Sequence, residues 1–115
     1  MQDSQIIEFI QNYYDLLKNN PTNLSSFYNK SSLIEWDNTK QDPNTFFSSV
    51  KNMNISVEVY SLDHQHITYN DFDANLVTVH GLLQNQNTQF TQTFIIATLN
   101  QNYFILLDNL SPITN

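Results

Sequence analysis

The first part of the chain repeats apolar positions with a helical period. Between Ser4 and Lys18 the apolar side chains include Ile6, Ile7, Ile10, Tyr13, Tyr14 and Leu17. One apolar stripe at a spacing of three or four residues predicts an amphipathic helix. Asp3 or Ser4 is the expected N-cap, because short oxygen-bearing side chains accept hydrogen bonds from the first free N–H groups.

Two Asx-Pro pairs, Asn20-Pro21 and Asp42-Pro43, predict the starts of two further helices. Proline suits the first helical position because the N–H that it lacks has no partner there. The expected buried sides are Leu24, Phe27 and Tyr28 in one helix and Phe46, Phe47 and Val50 in the other.

Beyond Lys51 the pattern changes to stretches rich in β-branched and aromatic residues, which favour strands. These stretches are Ile55–Ile67, Asn75–Leu83, Gln89–Leu99 and Tyr103–Leu110, and Ser32–Asp37 is a candidate for a further short strand. Polar connections at 84–87 and 100–102 predict hairpins. Helices followed by an antiparallel meander form an α+β pattern.

The first long strand changes phase in its middle. Ile55, Val57 and Val59 share one face, whereas Tyr60 and Leu62 share the other. A slip of one residue is what a β-bulge produces, and a bulge bends its strand. We therefore expect a sheet that is curved into a cup.

The later strands are apolar on both faces. In the third stretch Phe94 and Ile96 alternate with Ile95 and Ala97. Three short helices cover one face, and a second open face would exceed the few hundred Å² of apolar patch that monomers tolerate. We expect a partner on that face, most simply a second copy of the chain; the alternative is a strongly curled sheet that buries both faces within one chain.

Composition and charge exclude several classes of ligand. The 115 residues fit one domain, 1–115. A net charge of −7 with four Lys and Arg residues argues against direct nucleic-acid binding and against an anionic membrane surface. Without cysteine the chain forms no disulfide. No apolar run approaches the about 20 residues that span a bilayer, and no signal peptide is predicted.

Asp63-His64-Gln65-His66 is the cluster that suggests metal or acid–base chemistry. Alternation places His64 and His66 on one strand face, but a catalytic zinc site needs a third protein ligand. The remaining histidine, His80, has no predicted place beside them. We therefore predict no metal and no cofactor.

Asp108 lies among leucines, and a carboxylate in apolar surroundings suits a general base. Tyr14 and Asp63 are the residues that would complete such a site. The simpler interpretation is that Asp108 caps a strand end, accepts hydrogen bonds from backbone amides or faces a partner. No catalytic motif is recognisable, so we predict a protein that is not an enzyme.

Five segments in order resemble the nuclear transport factor 2-like family. They are "FIQNYYDLL", "LSSFYNKSSLIEW", "LDHQHI", "VHGLLQNQNTQFTQTFIIA" and "YFILLDNL". The resemblance implies a cone-shaped α+β fold, in which N-terminal helices pack on a strongly bent antiparallel sheet. This is the nuclear transport factor 2-like, or cystatin-like, fold.

The resemblance also implies a non-catalytic protein-binding and dimerisation module of nucleocytoplasmic transport, located in the cytoplasm, the nucleus and the nuclear pore. The implied partners are an identical or different domain of the same fold, the Phe-Gly repeats of nucleoporins, and the GDP-bound GTPase Ran or a messenger-RNA export receptor. The alternatives are the dimerisation domain of an RNA-granule scaffold protein and an enzyme similar to ketosteroid isomerase.

Aromatic residues are enriched at interface hot spots, and this guides the expected sites. The expected partner-binding residues are Tyr13, Trp36, Asp37, Phe46 and Phe47. The expected dimer face consists of His64, His66, Phe90, Phe94, Ile96 and Ile105.

Overall fold

A computed structural model describes residues 1–113, which form a curved six-stranded sheet with helices on its concave side. The helices are α1 (Asp3–Asn19), a 3₁₀ helix (Pro21–Phe27), α2 (Pro43–Val50) and a short 3₁₀ turn (Gln84–Gln86). The strands are β1 (Tyr28–Trp36), β2 (Thr39–Gln41), β3 (Val57–Tyr69), β4 (Phe72–Leu83), β5 (Thr88–Leu99) and β6 (Asn102–Pro112).

The strand order is β2-β1-β6-β5-β4-β3. Strands β3 to β6 form the predicted antiparallel meander, and β1 runs parallel to β6. The α+β class and the four long strands are therefore confirmed. The sequence pattern missed β2, because three residues are too few for an alternation to be recognised.

The helix starts follow the predicted chemistry with two differences. Gln2, and not Asp3 or Ser4, is the N-cap of α1, and its backbone N–H donates to Gln5 Oε1 at 2.7 Å. Asn20-Pro21 starts a 3₁₀ helix that ends before Tyr28, so Tyr28 belongs to β1. At α2 the prediction is confirmed, since the Asp42 side chain accepts from the Thr45 N–H at 2.7 Å.

The predicted bulge lies on β3. The register with β4 shifts between Val59 and Ser61, and beyond it Leu62 returns to the core-facing side that Val59 occupies. Gly81 lies opposite Val59, and a Cβ atom at Gly81 would lie 2.4 Å from the backbone oxygen of Glu58. The one glycine of the chain therefore permits the close contact of β3 and β4 at the bend.

Three two-residue hairpins turn without glycine. The turns Asp37-Asn38, Asn70-Asp71 and Asn100-Gln101 join β1 to β2, β3 to β4 and β5 to β6, and both residues of each have a positive φ. Asn and Asp tolerate this left-handed region better than other residues with a Cβ atom. The turn residues agree with the hairpin predicted at 100–102 and assign Asp37 a structural role.

The main core fills the cup between the concave face and the helices. Its large, fully buried members include Ile6, Ile10, Tyr13, Leu17, Phe46, Phe90, Phe94, Ile96 and Ile105. A smaller cluster lies on the convex face. Within residues 1–113, no helix has the length and apolar character required to cross a membrane.

We expect Gly81→Ala to destabilise the fold by about 1–3 kcal/mol, because the new methyl group forces β3 away from β4 or displaces the Phe90 ring. Urea denaturation measures the change. Ser61→Ala, an exposed position beside the bulge, is the control. A Gly81→Ala variant as stable as this control would contradict the assigned role of the glycine.

Candidate partner-binding surfaces

The centre of the core holds one carboxylate, that of Asp108, which has 0% exposure. Its Oδ2 accepts from the hydroxyl groups of Tyr13 at 2.8 Å and Tyr28 at 2.6 Å. Its Oδ1 accepts from Gln92 Nε2 at 2.7 Å and from Trp36 Nε1 at 3.1 Å. Four donors from α1, β1 and β5 thus meet on one residue of β6.

The electrostatics of this cluster depend first on burial. Burial raises the pKa of Asp108, and the hydrogen bonds from its four donors oppose that rise. Burial, followed by the nearby Asp108 charge, raises the pKa values of Tyr13 and Tyr28 well above normal, so both hydroxyls keep their protons and donate. Tyr14 donates to Gln92 Oε1 at 2.7 Å, which orients the amide so that its N–H group faces Asp108.

The constellation considered for a general base is not formed. Asp63 is exposed on β3, and Tyr14 contacts Gln92 in place of Asp108. A general base has to reach a proton of its substrate, whereas the Asp108 carboxylate is enclosed and paired on both oxygens. The geometry is that of a satisfied structural carboxylate.

A pocket of about 350 Å³, the mouth pocket, opens between α2 and the β4–β5 hairpin. Trp36, Phe46 and Asp37 line it, so three of the predicted partner-binding residues meet here. The Trp36 ring packs edge-on against Phe46 with 4.9 Å between the ring centroids, and its indole N–H donates a hydrogen bond to Asp108. Gln41 also lines the pocket, and its Oε1 is buried without a hydrogen-bond partner.

Two predicted partner-binding residues do not line the mouth pocket, and one that does is enclosed. Tyr13 has 0% exposure and belongs to the Asp108 cluster. Phe46 also has 0% exposure, so it supports the pocket from the core and offers little surface to a partner. Phe47 is half-buried and packs against Tyr28 at 5.5 Å. The expectation of direct contact is therefore wrong for Tyr13 and Phe46.

A second depression, the aromatic groove, lies where α1, the first 3₁₀ helix and the start of β6 meet. Phe9, Phe27 and Tyr103 line it with Phe104, Ser26 and Asn102, and its volume is about 470 Å³. The centroid of the Phe9 ring lies 4.9 Å from that of Phe27 and 6.2 Å from that of Tyr103, and the Phe9 and Tyr103 rings meet edge to face. Sequence reasoning missed this groove because its rings come from three distant segments, none with a distinctive spacing.

The convex face of the sheet carries two apolar rows that cross neighbouring strands. The registers place Leu33 beside Leu107, Leu107 beside Ile95, and Ile95 beside Leu76. The adjacent row consists of Phe104, Ala97, Ala74 and Ile67. We call these eight residues, with Leu106, the outer apolar face.

Four of the six residues of the predicted dimer face lie on the side of the sheet that the helices cover. Phe90, Phe94, Ile96 and Ile105 have 0% exposure and pack under the helices. Alternation reveals two apolar faces but not which of them the helices cover, and the outer apolar face is formed by the residues of the opposite phase. The expectation of a second apolar face itself holds.

The two histidines of that prediction lie on the concave side of the edge strand β3. His64 Nε2 is 3.5 Å from Asp3 Oδ1, and His66 pairs with Asp73. Neither side chain reaches the outer apolar face. Across residues 1–113, no group of three His, Cys, Asp or Glu side chains is placed to hold a metal ion.

The raised pKa of Asp108 predicts a specific pH dependence. A carboxyl whose folded pKa is raised stabilises the fold most below its unfolded pKa, near 3.8, and loses that contribution as pH rises through the folded pKa. Asp108→Asn does not ionise, so its stability relative to the wild type should improve as pH rises above about 4. Denaturant titrations across this range measure the difference, and a constant or falling difference would contradict the prediction.

Asp108→Leu is the companion variant. It leaves the four donors facing a side chain that accepts nothing, and we expect a loss of about 3 kcal/mol or more. Asp108→Asn keeps one oxygen for Gln92 and Trp36, and the two tyrosine hydroxyls can rotate to accept from its amide. Asn should therefore be clearly more stable than Leu, and equal losses would argue against the hydrogen-bond network.

Comparison with solved structures agrees with this architecture. The yeast UBP3-associated protein BRE5 superposes with a TM-score of 0.79 at 21% identity, covering 96% of this chain and 95% of BRE5. Nuclear transport factor 2 from Cryptosporidium parvum gives 0.74 at 22% identity, with 92% and 90% covered. An NTF2-like protein from Cytophaga hutchinsonii gives 0.69 at 12% identity, with 98% and 100% covered. The TM-scores show that these proteins share a fold with this chain, although their sequence identities are low.

A search among curated protein sequences finds no significant match. A sequence model of one domain family, however, matches residues 6–111, nearly the whole chain. That match agrees with the helices, the bent sheet and the cup described above. The chain belongs to the nuclear transport factor 2 (NTF2) domain family.

Proposed function

We propose that this chain is a non-catalytic, dimeric protein-binding module of nucleocytoplasmic transport that acts in the cytoplasm, the nucleus and the nuclear pore. The outer apolar face is the observation that carries the proposal. Family membership and the likeness to BRE5 and nuclear transport factor 2 support the general role of a dimerisation and binding module. The finer assignment of partners is our inference.

The outer apolar face fits a second domain of the same fold. The row that begins at Leu33 on β1 and ends at Leu76 on β4 crosses four strands, a span of about 15 Å at ordinary strand spacing. Leu33 is 59% exposed, and Leu76 and Leu107 are half-buried. In a symmetric dimer, the outer apolar face of one copy packs against the same face of the other. A different domain with this fold would offer a similar surface.

The aromatic groove fits the phenylalanine of a Phe-Gly repeat. The rings of Phe9, Phe27 and Tyr103 present edges and faces to an inserted ring, an arrangement that aromatic pairs favour. In the described part of the chain, no charged side chain lines this groove. A weakly bound, uncharged repeat gains occupancy from its many copies and from the two grooves of a dimer.

The mouth pocket is the place for a larger protein partner. Asp37 at its edge offers one acidic side chain to a GDP-bound Ran partner, but the adjoining hairpin at 84–87 reads Gln-Asn-Gln-Asn and adds no charge to pair with a GTPase. This favours an export-receptor partner over GDP-bound Ran. Retention on immobilised GDP-loaded Ran would reverse that preference.

The alternative role, the dimerisation domain of an RNA-granule scaffold, uses the outer apolar face and the aromatic groove. BRE5 is described as a UBP3-associated protein, and this association supports a protein-binding role in either setting. The cellular location of a tagged chain separates them. Accumulation at the nuclear rim supports the transport role, and recruitment to stress-induced granules supports the scaffold role.

We expect the wild-type chain to sediment as a dimer at about 10 μM, with Leu76→Glu and Leu107→Glu shifting it to the monomer. A carboxylate on each copy would be buried against its partner without a compensating cation. Met53→Glu replaces an apolar side chain of 47% exposure outside the outer apolar face and should stay dimeric. A wild-type chain that remains monomeric at this concentration would refute the dimer.

We expect a Phe-Gly repeat peptide to shift NMR signals of residues around the aromatic groove. Removing the Tyr103 ring by Tyr103→Ala should weaken binding by about ten-fold, because one wall of the groove is lost. Phe47→Ala is the matched control, a half-buried ring near the mouth pocket. The reverse result, with Phe47→Ala as the damaging change, would return the peptide site to the residues first expected from the sequence.

A further inference from the structure

The free edge of β3 is a surface that the proposed function does not use. β3 has 13 residues and lies at the end of the sheet, where it pairs with β4 alone among the described strands. Its other edge therefore presents a row of unpaired backbone N–H and C=O groups. The opposite edge strand, β2, has three residues and offers a far shorter edge.

A depression of about 580 Å³ runs beside this edge, between α1 and the first half of β3. We call it the edge groove. Its apolar lining is Ile7, Ile10, Tyr14, Val57, Val59, Tyr60 and Leu62. Ile7, Val59 and Tyr60 are 45%, 43% and 49% exposed, so three large apolar side chains are left in solvent at one place.

The carboxylates on β3 and in the edge groove form an acidic border along this edge. Glu58 and Asp63 are exposed, and their register with β4 places both on the convex side of β3; Asp15 lines the edge groove on the concave side. β3 and β4 contain no Lys or Arg. Two of the four basic residues, Lys30 and Lys40, lie on β1 and β2 at the other end of the sheet.

We propose that the β3 edge binds an extended segment of a partner protein in which apolar residues alternate with Lys or Arg. The segment adds a seventh strand by pairing its backbone with β3. Side chains of a strand alternate between its two faces. The apolar residues therefore enter the edge groove over Ile7 and Val59, and the basic residues meet Glu58 and Asp63.

A second copy of the chain fits this edge less well. Pairing β3 with β3 would bring two acidic edges together, and like charges in contact oppose association. The bulge between Val59 and Ser61 also bends the edge, which hinders a long rigid strand. A short flexible segment can follow the bend.

The test uses a synthetic peptide of about ten residues, at the upper end of ordinary strand lengths, that alternates Val with Lys. We expect it to slow amide hydrogen exchange in β3 and to bind with an affinity measurable by fluorescence anisotropy. Glu58→Lys combined with Asp63→Lys should weaken binding by about ten-fold or more, since two attractive contacts become repulsive. Lys30→Glu combined with Lys40→Glu, at the opposite edge, should leave the affinity unchanged.

Two controls separate strand addition from charge attraction alone. A peptide of the same composition, with its Val and Lys residues in separate blocks, should bind at least about ten-fold more weakly. Equal binding of the two peptides, or slowed exchange outside β3, would overturn the proposal. So would self-association of the chain that slows exchange in β3 without any peptide, because the occupant would then be a second copy.

The edge proposal and the proposed function fail separately. Leu107→Glu on β6 disrupts the outer apolar face and Tyr103→Ala the aromatic groove, and neither residue lines the edge groove. Both variants should bind the alternating peptide as the wild type does. Loss of peptide binding in either variant would count against an independent site on β3.

Discussion

The fold is organised around one buried carboxylate. Asp108 on β6 collects donors from α1, β1 and β5, so it connects elements that are distant in sequence. The buried carboxyl group is tolerated because each of the four donors is hydrogen-bonded to it and both of its oxygens accept hydrogen bonds. The same contact holds Trp36 in place as a wall of the mouth pocket, and the pocket's shape therefore depends on the polar core beneath it.

The two sides of the sheet differ in what covers them. The concave side is filled by rings and aliphatic side chains of the chain itself, whereas the convex side keeps two apolar rows without helices over them. The bend at the β3 bulge, made possible by Gly81, curves the sheet around its own core. One apolar face is thereby completed within the chain, and the other carries no covering helix among the described residues.

Local sequence patterns predicted the helices and strands better than they predicted which residues meet in the folded chain. The stripe of α1, the Asp42-Pro43 start and the phase change of β3 each follow from residues close in sequence, and the structure agrees with them. The choice of dimer face depended on which side the helices cover, which alternation alone does not encode. The Asp108 cluster and the aromatic groove combine residues up to 95 positions apart, and their spacing leaves no trace in one sequence.

The parallel pairing of β1 with β6 has a consequence for how the protein is made. β6 is the last strand to be synthesised, yet it lies inside the sheet between β1 and β5. Until residue 112 has left the ribosome, β1 and β5 have no common neighbour, and the tyrosine hydroxyls of the core lack their acceptor. Folding of the domain is therefore held back until β6 has been synthesised, and until then the nascent chain carries unpaired strand edges that favour chaperone binding.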